Sequence, residues 1–189
     1  MLTYDKRGHG LSDTGTAPYT LDEHVEDLVA LLDKLIISDA VICGLSVGGL
    51  IAMRLHELRP DLVSSLMLCD TAPKIGTTEM WEERMQTVRD QGMAGLVTAN
   101  MARWFTQNFH THHQPELDGY SNMFLRVPIE GYLGTAAAIR DADLTEAATK
   151  IDVPVLCVVG EEDGSTPPEL VLNMANMIPG ADFKLLKGA

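Results

Sequence analysis

Apolar positions in the first 70 residues follow two different spacings, which alternate along the chain. Between Leu21 and Leu35 they recur every three or four residues, the spacing of a helix that buries one face. Short continuous apolar runs flank this segment and are typical of buried strands. The pattern predicts helices at Leu21–Leu35 and Leu50–Leu58, strands at Ala40–Cys43 and Val63–Cys69, and the end of a strand at Leu2–Asp5.

The alternation stops after residue 70 and resumes after residue 150. Residues 71–150 are mostly helical in pattern and hold both tryptophans of the chain. Beyond them the pattern predicts a strand at Pro154–Val159, a helix at Pro167–Ile178 and a last strand at Asp182–Leu186. Strands that alternate with helices form parallel sheets. We therefore expect an α/β fold with a mostly parallel sheet and helices on both faces. Its expected parts are residues 1–70, a helical lid or second helical layer at 71–150, and residues 151–189.

Composition narrows the possible partners. The net charge of −13 disfavours nucleic acids and anionic membranes, because their phosphates would be repelled. The chain shows no signal-peptide pattern and no apolar run that could span a bilayer. Three cysteines without paired spacing indicate buried, reduced thiols, so we expect a cytoplasmic protein.

A glycine-rich stretch between a predicted strand and a predicted helix carries the first candidate for chemistry. Residues 44–48 match the pattern G-x-S-x-G, with Ser46 at its centre. A sharp strand-to-helix turn holds such a serine in a strained conformation, and small neighbours relieve the crowding. We expect Ser46 to be a nucleophile and the amide of Val47, at the start of the helix, to bind an oxyanion. The alternative is a glycine-rich turn without chemistry.

A serine nucleophile needs a base and an orienting acid. In this type of site the acid follows the serine in the chain and ends a later strand. Asp163 follows the run that ends at Val159 and is the expected acid, while Asp70, after an earlier strand, competes with it. The base should follow the acid, but none of the six histidines comes after Asp163.

These segments together resemble the α/β-hydrolases, and more closely the 3-oxoadipate enol-lactonases. The resemblance rests on four segments, 4–12, 44–49, 130–143 and 160–169, of which the last two are the more selective. In that family a G-x-G-H loop bearing the catalytic histidine follows the last strand, and Gly188-Ala189 is similar to its beginning. We therefore expect a partial α/β-hydrolase fold, an internal piece of a longer enzyme that is inactive by itself.

The resemblance implies hydrolysis of a small carboxylate-bearing enol-lactone to 3-oxoadipate, in aromatic catabolism, without a metal or organic cofactor. A carboxylesterase, a perhydrolase or an inert binding protein are the alternatives. The substrate's carboxylate calls for a cation, and the candidates are the lid residues Arg126 and Arg140. Trp104 is a candidate for lining the pocket, with core packing as the alternative. The histidines at 110, 112 and 113 are interpreted as a polar surface turn rather than a metal site.

Overall fold

The computed structural model describes residues 1–189 and consists of nine α-helices and four β-strands. The helices are α1 Leu21–Lys34, α2 Val47–Leu58, α3 Thr78–Gln91, α4 Ala94–Trp104, α5 Gln107–His112, α6 Gln114–Leu125, α7 Ile129–Asp141, α8 Thr145–Ala148 and α9 Pro168–Met177. The strands are β1 Ala40–Leu45, β2 Val63–Cys69, β3 Val155–Gly160 and β4 Asp182–Leu186. No helix combines the length and the apolar composition that a membrane crossing requires.

The four strands form one parallel sheet in the order β1-β2-β3-β4. The α/β fold and the parallel sheet predicted from the sequence are thereby confirmed, and the predicted strands match the observed ones to within two residues. One prediction was wrong: residues 1–6 form no strand. A strand needs a hydrogen-bonded neighbour, and no strand of this sheet pairs with these residues.

The structural elements that pack on the sheet lie on one of its faces. Each connection leads from one strand to its neighbour, and all connections run in the same direction across the sheet. Because connections between parallel strands are right-handed, α2 and α9 lie on the same side of the sheet. Gly44, Leu66, Leu68, Cys157 and Val159 face these helices and are buried. On the opposite face Val41 and Leu45 are 69% and 62% exposed. Helices were expected on both faces of the sheet, and within this chain they lie on one face.

The chain divides into two compact units. The sheet unit comprises residues 21–75 and 142–189, and the helical unit comprises residues 1–20 and 76–141. The helical segment was expected at 71–150, and the first 20 residues were expected with the sheet. They belong with the helices because of two close approaches, in which Gly8 lies against Gly131 and the amide of Tyr19 donates to the carbonyl of Gly134 at 3.3 Å.

Each unit has its own apolar core. In the sheet unit α2 is almost completely buried between the sheet and α1, with Leu50, Met53 and Leu55 inaccessible to solvent. This burial explains why α2 has few polar residues. In the helical unit, α3, α4, α6 and α7 pack around Met85, Val88, Met101, Phe124 and Leu133.

Candidate active site

Ser46 occupies the junction between β1 and α2 in a strained backbone conformation. Its φ of 54° and ψ of −118° lie in a region that residues with a side chain rarely adopt, at a cost of about 1–3 kcal/mol. Ser46 is exposed, whereas Gly44 and Gly49 near it are buried and Gly48 is partly buried. The turn therefore presents one hydroxyl group at the carboxyl end of the sheet, as the sequence pattern predicted.

The strain is held in place by hydrogen bonds to the neighbouring strand. The amide of Ser46 donates to the carbonyl of Cys69 at 3.0 Å, and the hydroxyl of Thr71 donates to the carbonyl of Ser46 at 2.7 Å. Thr71 is completely buried. Sequence reasoning did not single out Thr71, because its partner lies 25 residues earlier and only the parallel pairing of β1 with β2 brings them together.

The glycines around Ser46 have different roles. A Cβ atom on Gly44 would collide with the carbonyl of Gly48 and lie 2.6 Å from the amide nitrogen of Gly49. A Cβ atom on Gly49 would lie 2.7 Å from the Cβ of Thr71. Gly48 has open space at the same position. The expectation that both glycines of the motif relieve crowding is therefore right for Gly44 and wrong for Gly48, because a Cβ atom on Gly48 would meet no other atom within 4 Å.

Val47 is the first residue of α2. The amide groups at the start of a helix have no intrahelical acceptor and carry partial positive charge. Ser46, at the N-cap position, makes no side-chain cap to this end. The amide of Val47 thus stays a candidate donor to a developing oxyanion, as the sequence analysis expected.

Asp163 lies in the loop between β3 and α9, and its carboxylate is tightly held. It accepts hydrogen bonds from the amides of Ser165 at 2.6 Å and Thr166 at 3.2 Å, and from the Thr166 hydroxyl at 2.7 Å. Thr166 itself is buried. An orienting acid must keep a fixed position, and this set of donors provides it.

Asp70, the competing acid, lies beside Asp163. It follows β2 directly, with a φ of 45°, and its carboxylate accepts from the amide of Gly160 at 3.1 Å. Burial is the main reason why the pKa of Asp70 is raised, and the neighbouring charge and hydrogen bond of Asp163 raise it further. The two candidates that the sequence left open are therefore a pair of interacting carboxyl groups at adjacent strand ends.

The last residues of the chain lie against the same loop. The amide of Glu161 donates to the carbonyl of Leu186 at 2.9 Å, and the amide of Glu162 donates to the carbonyl of Ala189 at 2.7 Å. The segment that resembles the start of a histidine loop is thus adjacent to the acid loop. The two histidines of the sheet unit lie elsewhere, on α1 and α2, where His56 Nε2 is 3.0 Å from Asp152 Oδ1.

The turn at residues 4–12, in the helical unit, is organised by Asp5. Its carboxylate accepts from the amide of Leu11 at 3.0 Å, and the hydroxyl of Ser12 donates to its carbonyl at 2.6 Å. A Cβ atom on Gly10 would collide with this carboxylate, which explains the glycine. In the same turn burial, followed by the charge of Lys6, lowers the pKa of His9 to about 4, so its ring is neutral at physiological pH.

The three residues proposed to bind substrate all lie in the helical unit and have different surroundings. Arg140 is bound by two carboxylates, those of Asp141 and Glu82. Arg126 is exposed at the end of α6. Trp104 is half exposed and forms a T-shaped contact with Phe124, with 5.5 Å between the ring centroids. A carboxylate ligand would have to compete with two acids at Arg140 but with none at Arg126.

The cysteines are free, but they are not all buried. Cys157 is buried, Cys69 is half-buried and Cys43 is exposed. The prediction of three buried thiols was wrong for Cys43, because it lies on the face of the sheet that no helix covers. Burial raises the pKa of the Cys157 thiol to about 11.

Comparison with known proteins agrees with this fold. The sequence profile of the α/β hydrolase fold matches residues 1–189, so the chain belongs to the α/β hydrolase family. Among curated relatives, it is 35% identical to 3-oxoadipate enol-lactonase 2 of Acinetobacter baylyi over 166 residues, which is 88% of this chain and 62% of the relative. The crystal structure of the enol-lactonase from Burkholderia xenovorans superimposes with a TM-score of 0.94 at 36% identity, over 97% of this chain and 70% of that one.

Esterases are also among the relatives. The chain is 31% identical to the pimeloyl-[acyl-carrier protein] methyl ester esterase of Neisseria meningitidis over 194 residues, covering 98% of this chain and 73% of the relative. The chain spans 62% of the length of the two curated enol-lactonases that it matches.

Proposed function

We propose that this chain supplies the nucleophile, one oxyanion donor and the orienting acid of a serine hydrolase. Its substrate would be a small carboxylate-bearing enol-lactone, which it opens to 3-oxoadipate in aromatic catabolism. The observation that carries the proposal is the strained, exposed Ser46 at the junction of β1 and α2. Similarity to proteins named enol-lactonases supports the choice of substrate.

The proposed reaction begins with the Oγ of Ser46, which attacks the carbonyl carbon of the lactone. A histidine of the family's G-H loop would take the Ser46 proton, and Asp163 would hold that histidine in one tautomer and one orientation. The amide of Val47 would donate to the oxyanion that forms. Breaking the ring C–O bond then releases an enolate on the same molecule. The proton that the histidine took from Ser46 returns to this leaving group, and once the proton resides on the enolate carbon the oxygen forms the C=O bond of the keto group.

Water completes the proposed cycle. The acyl group that remains on Ser46 is hydrolysed by a water molecule activated by the same histidine, and this step frees the second carboxylate of 3-oxoadipate. No step of this sequence requires a metal ion or an organic cofactor.

The proposal is tested with the chain expressed together with the flanking residues of its own reading frame. The rate of enol-lactone hydrolysis is measured from the decrease in enol-lactone absorbance. Ser46→Ala is expected to lower kcat by about 10⁶-fold. The 189-residue chain is expected to show no turnover, because no histidine follows Asp163. A decrease in kcat of less than about tenfold in Ser46→Ala would mean that Ser46 is a turn residue without a catalytic role. Ordinary turnover by the 189-residue chain would mean that one of its six histidines is the base.

A second function, hydrolysis of a carboxylic ester by the same residues, is favoured by the similarity to the methyl ester esterase. The two functions are separated by comparing kcat/KM for the enol-lactone with kcat/KM for a simple aryl ester. A higher value for the enol-lactone supports the lactonase, and the reverse order supports the esterase.

A further inference from the structure

Arg84, on α3 in the helical unit, differs in its partners from the three arginines that form ion pairs. Arg54, Arg59 and Arg140 each bind two carboxylates. The guanidinium of Arg84 instead donates through Nη2 to the amide oxygen of Asn100 at 2.8 Å and to the hydroxyl of Tyr132 at 3.1 Å. The chain has 27 acidic and 14 basic residues, so acids are not scarce. The cation is surrounded by neutral acceptors although carboxylates are plentiful elsewhere.

Two hydrogen-bond donors in this cluster have no acceptor. They are Nε of Arg84 and Nδ2 of Asn100, and both atoms are buried. Asn100 as a whole is inaccessible to solvent. Each orphaned donor belongs to the same planar group as one partner of the 2.8 Å bond between Arg84 and Asn100. Buried donors without acceptors are costly, at about 1–3 kcal/mol each, and a guanidinium is always charged.

The surroundings indicate what kind of ligand would complete the cluster. Helices α3, α4 and α7 each contribute one member, so the donors are fixed by packed elements rather than by a loop. The Trp81 ring lies against the guanidinium, with Arg84 Cζ 5.5 Å from the ring centroid, and the hydroxyl of a second aromatic residue, Tyr132, accepts from Nη2. Aromatic groups beside a cation favour an organic acid over a strongly hydrated inorganic anion.

We propose that Arg84, Asn100 and Tyr132 form a binding site for a small organic carboxylate, whose oxygens accept from the orphaned donors. The substrate proposed above is itself a small carboxylate. The identification of the ligand with that substrate rests on the proposed function, whereas the site itself does not. Arg84 escaped the sequence analysis because it follows Glu82 and Glu83 and has the appearance of a surface residue. Its partners lie 16 and 48 residues away.

The site is tested by titrating the ¹⁵N-labelled 189-residue chain with furan-2-acetate, a five-membered ring that bears an acetate group. The Arg84 Nε–H and Asn100 side-chain NH₂ resonances are expected to shift and saturate, with a Kd in the millimolar range that is usual for so small a ligand. Furan-2-acetamide, which has the same shape without the charge, is expected to cause no saturable shift. Equal responses to the acid and the amide would overturn the proposal, as would shifts produced equally by sodium phosphate.

Arg84→Gln is expected to weaken binding at least tenfold, and Arg89→Gln, on the same helix, is the matched control and should bind like the parent chain. Arg84→Lys keeps the charge but lacks Nε, and it should also bind weakly. Unchanged affinity in Arg84→Lys would refute the role of Nε. If Arg84→Gln does not fold, the titration of the parent chain decides, because it reads the two donors directly. If the carboxylate binds but the longer reading frame does not hydrolyse enol-lactone, this site stands and the proposed function is refuted. If the longer reading frame hydrolyses enol-lactone but the carboxylate does not bind, the proposed function stands and this site is refuted.

Discussion

The two glycines of the G-x-S-x-G pattern are predicted to respond in opposite ways to the same substitution. In Gly44→Ala the new methyl group would collide with the carbonyl of Gly48 and lie 2.6 Å from the amide nitrogen of Gly49. Both obstacles are backbone atoms of α2's first turn, so no side chain can rotate away. In Gly48→Ala the methyl group meets no atom within 4 Å.

The magnitude follows from these contacts. Overpacking typically costs 1–3 kcal/mol, and an obstacle made of backbone places Gly44→Ala near the upper end, at about 3 kcal/mol. Alanine in place of glycine within a helix gains about 0.5–1 kcal/mol, which Gly48→Ala should show in part. The two variants should therefore differ by about 3–4 kcal/mol in the free energy of unfolding.

Urea unfolding, followed by far-ultraviolet circular dichroism, measures this difference. With a urea dependence of about 2 kcal/mol per molar, the midpoint of Gly44→Ala should fall by about 1.5 M, and that of Gly48→Ala should stay or rise slightly. Gly119→Ala, on α6 with open space around it, controls for the general effect of alanine in a helix. A loss of stability in Gly48→Ala equal to that in Gly44→Ala would refute the assignment of the crowding to Gly44 alone.

Four further outcomes are expected. Ser46→Gly should raise the free energy of unfolding by about 1 kcal/mol in urea titrations, because glycine adopts a φ of 54° without strain, and Ser46→Ala should not. In the longer reading frame, Asp163→Asn should lower kcat for enol-lactone by about 10⁴-fold and Asp70→Asn by much less, with folding checked by circular dichroism. Because the native pKa of Asp70 is raised by burial, its contribution to stability is lost as the pH rises through that pKa. Asp70→Asn should therefore unfold at higher urea than the parent chain at pH 7, with the gain shrinking at lower pH. A maleimide should label Cys43 well before Cys157, and mass spectrometry of peptides would show the order.

The positions of the core elements could be predicted from the sequence because local pattern decides them. The predicted strands at Val63–Cys69 and Asp182–Leu186 coincide with β2 and β4, and the helix expected to start at Leu21 does so. Apolar runs bounded by turn residues have few alternative structures. The same local pattern was misleading at Leu2–Asp5, since a strand exists only where a neighbour pairs with it.

What could not be predicted depends on contacts between distant residues. The alternating pattern does not state in which order the strands pair, so it could not reveal that α2 and α9 share one face, nor that Cys43 lies on the open face. Thr71 and Asn100 are further cases, because each acts through a partner at least 16 residues away. The candidate nucleophile was predictable because its motif is compact in sequence.

The parallel sheet itself explains why the sequence could not separate Asp70 from Asp163. Adjacent parallel strands end at the same edge, so the residues that follow β2 and β3 are brought together whichever of them acts. The surroundings of the two neighbouring carboxyl groups nevertheless differ. Asp163 accepts from three donors, whereas Asp70 accepts from the single amide of Gly160 and is partly buried. Three donors fix the position of the Asp163 carboxyl group, whereas one donor holds that of Asp70. An acid that keeps a histidine in one tautomer and one orientation needs such a fixed position, and this favours Asp163.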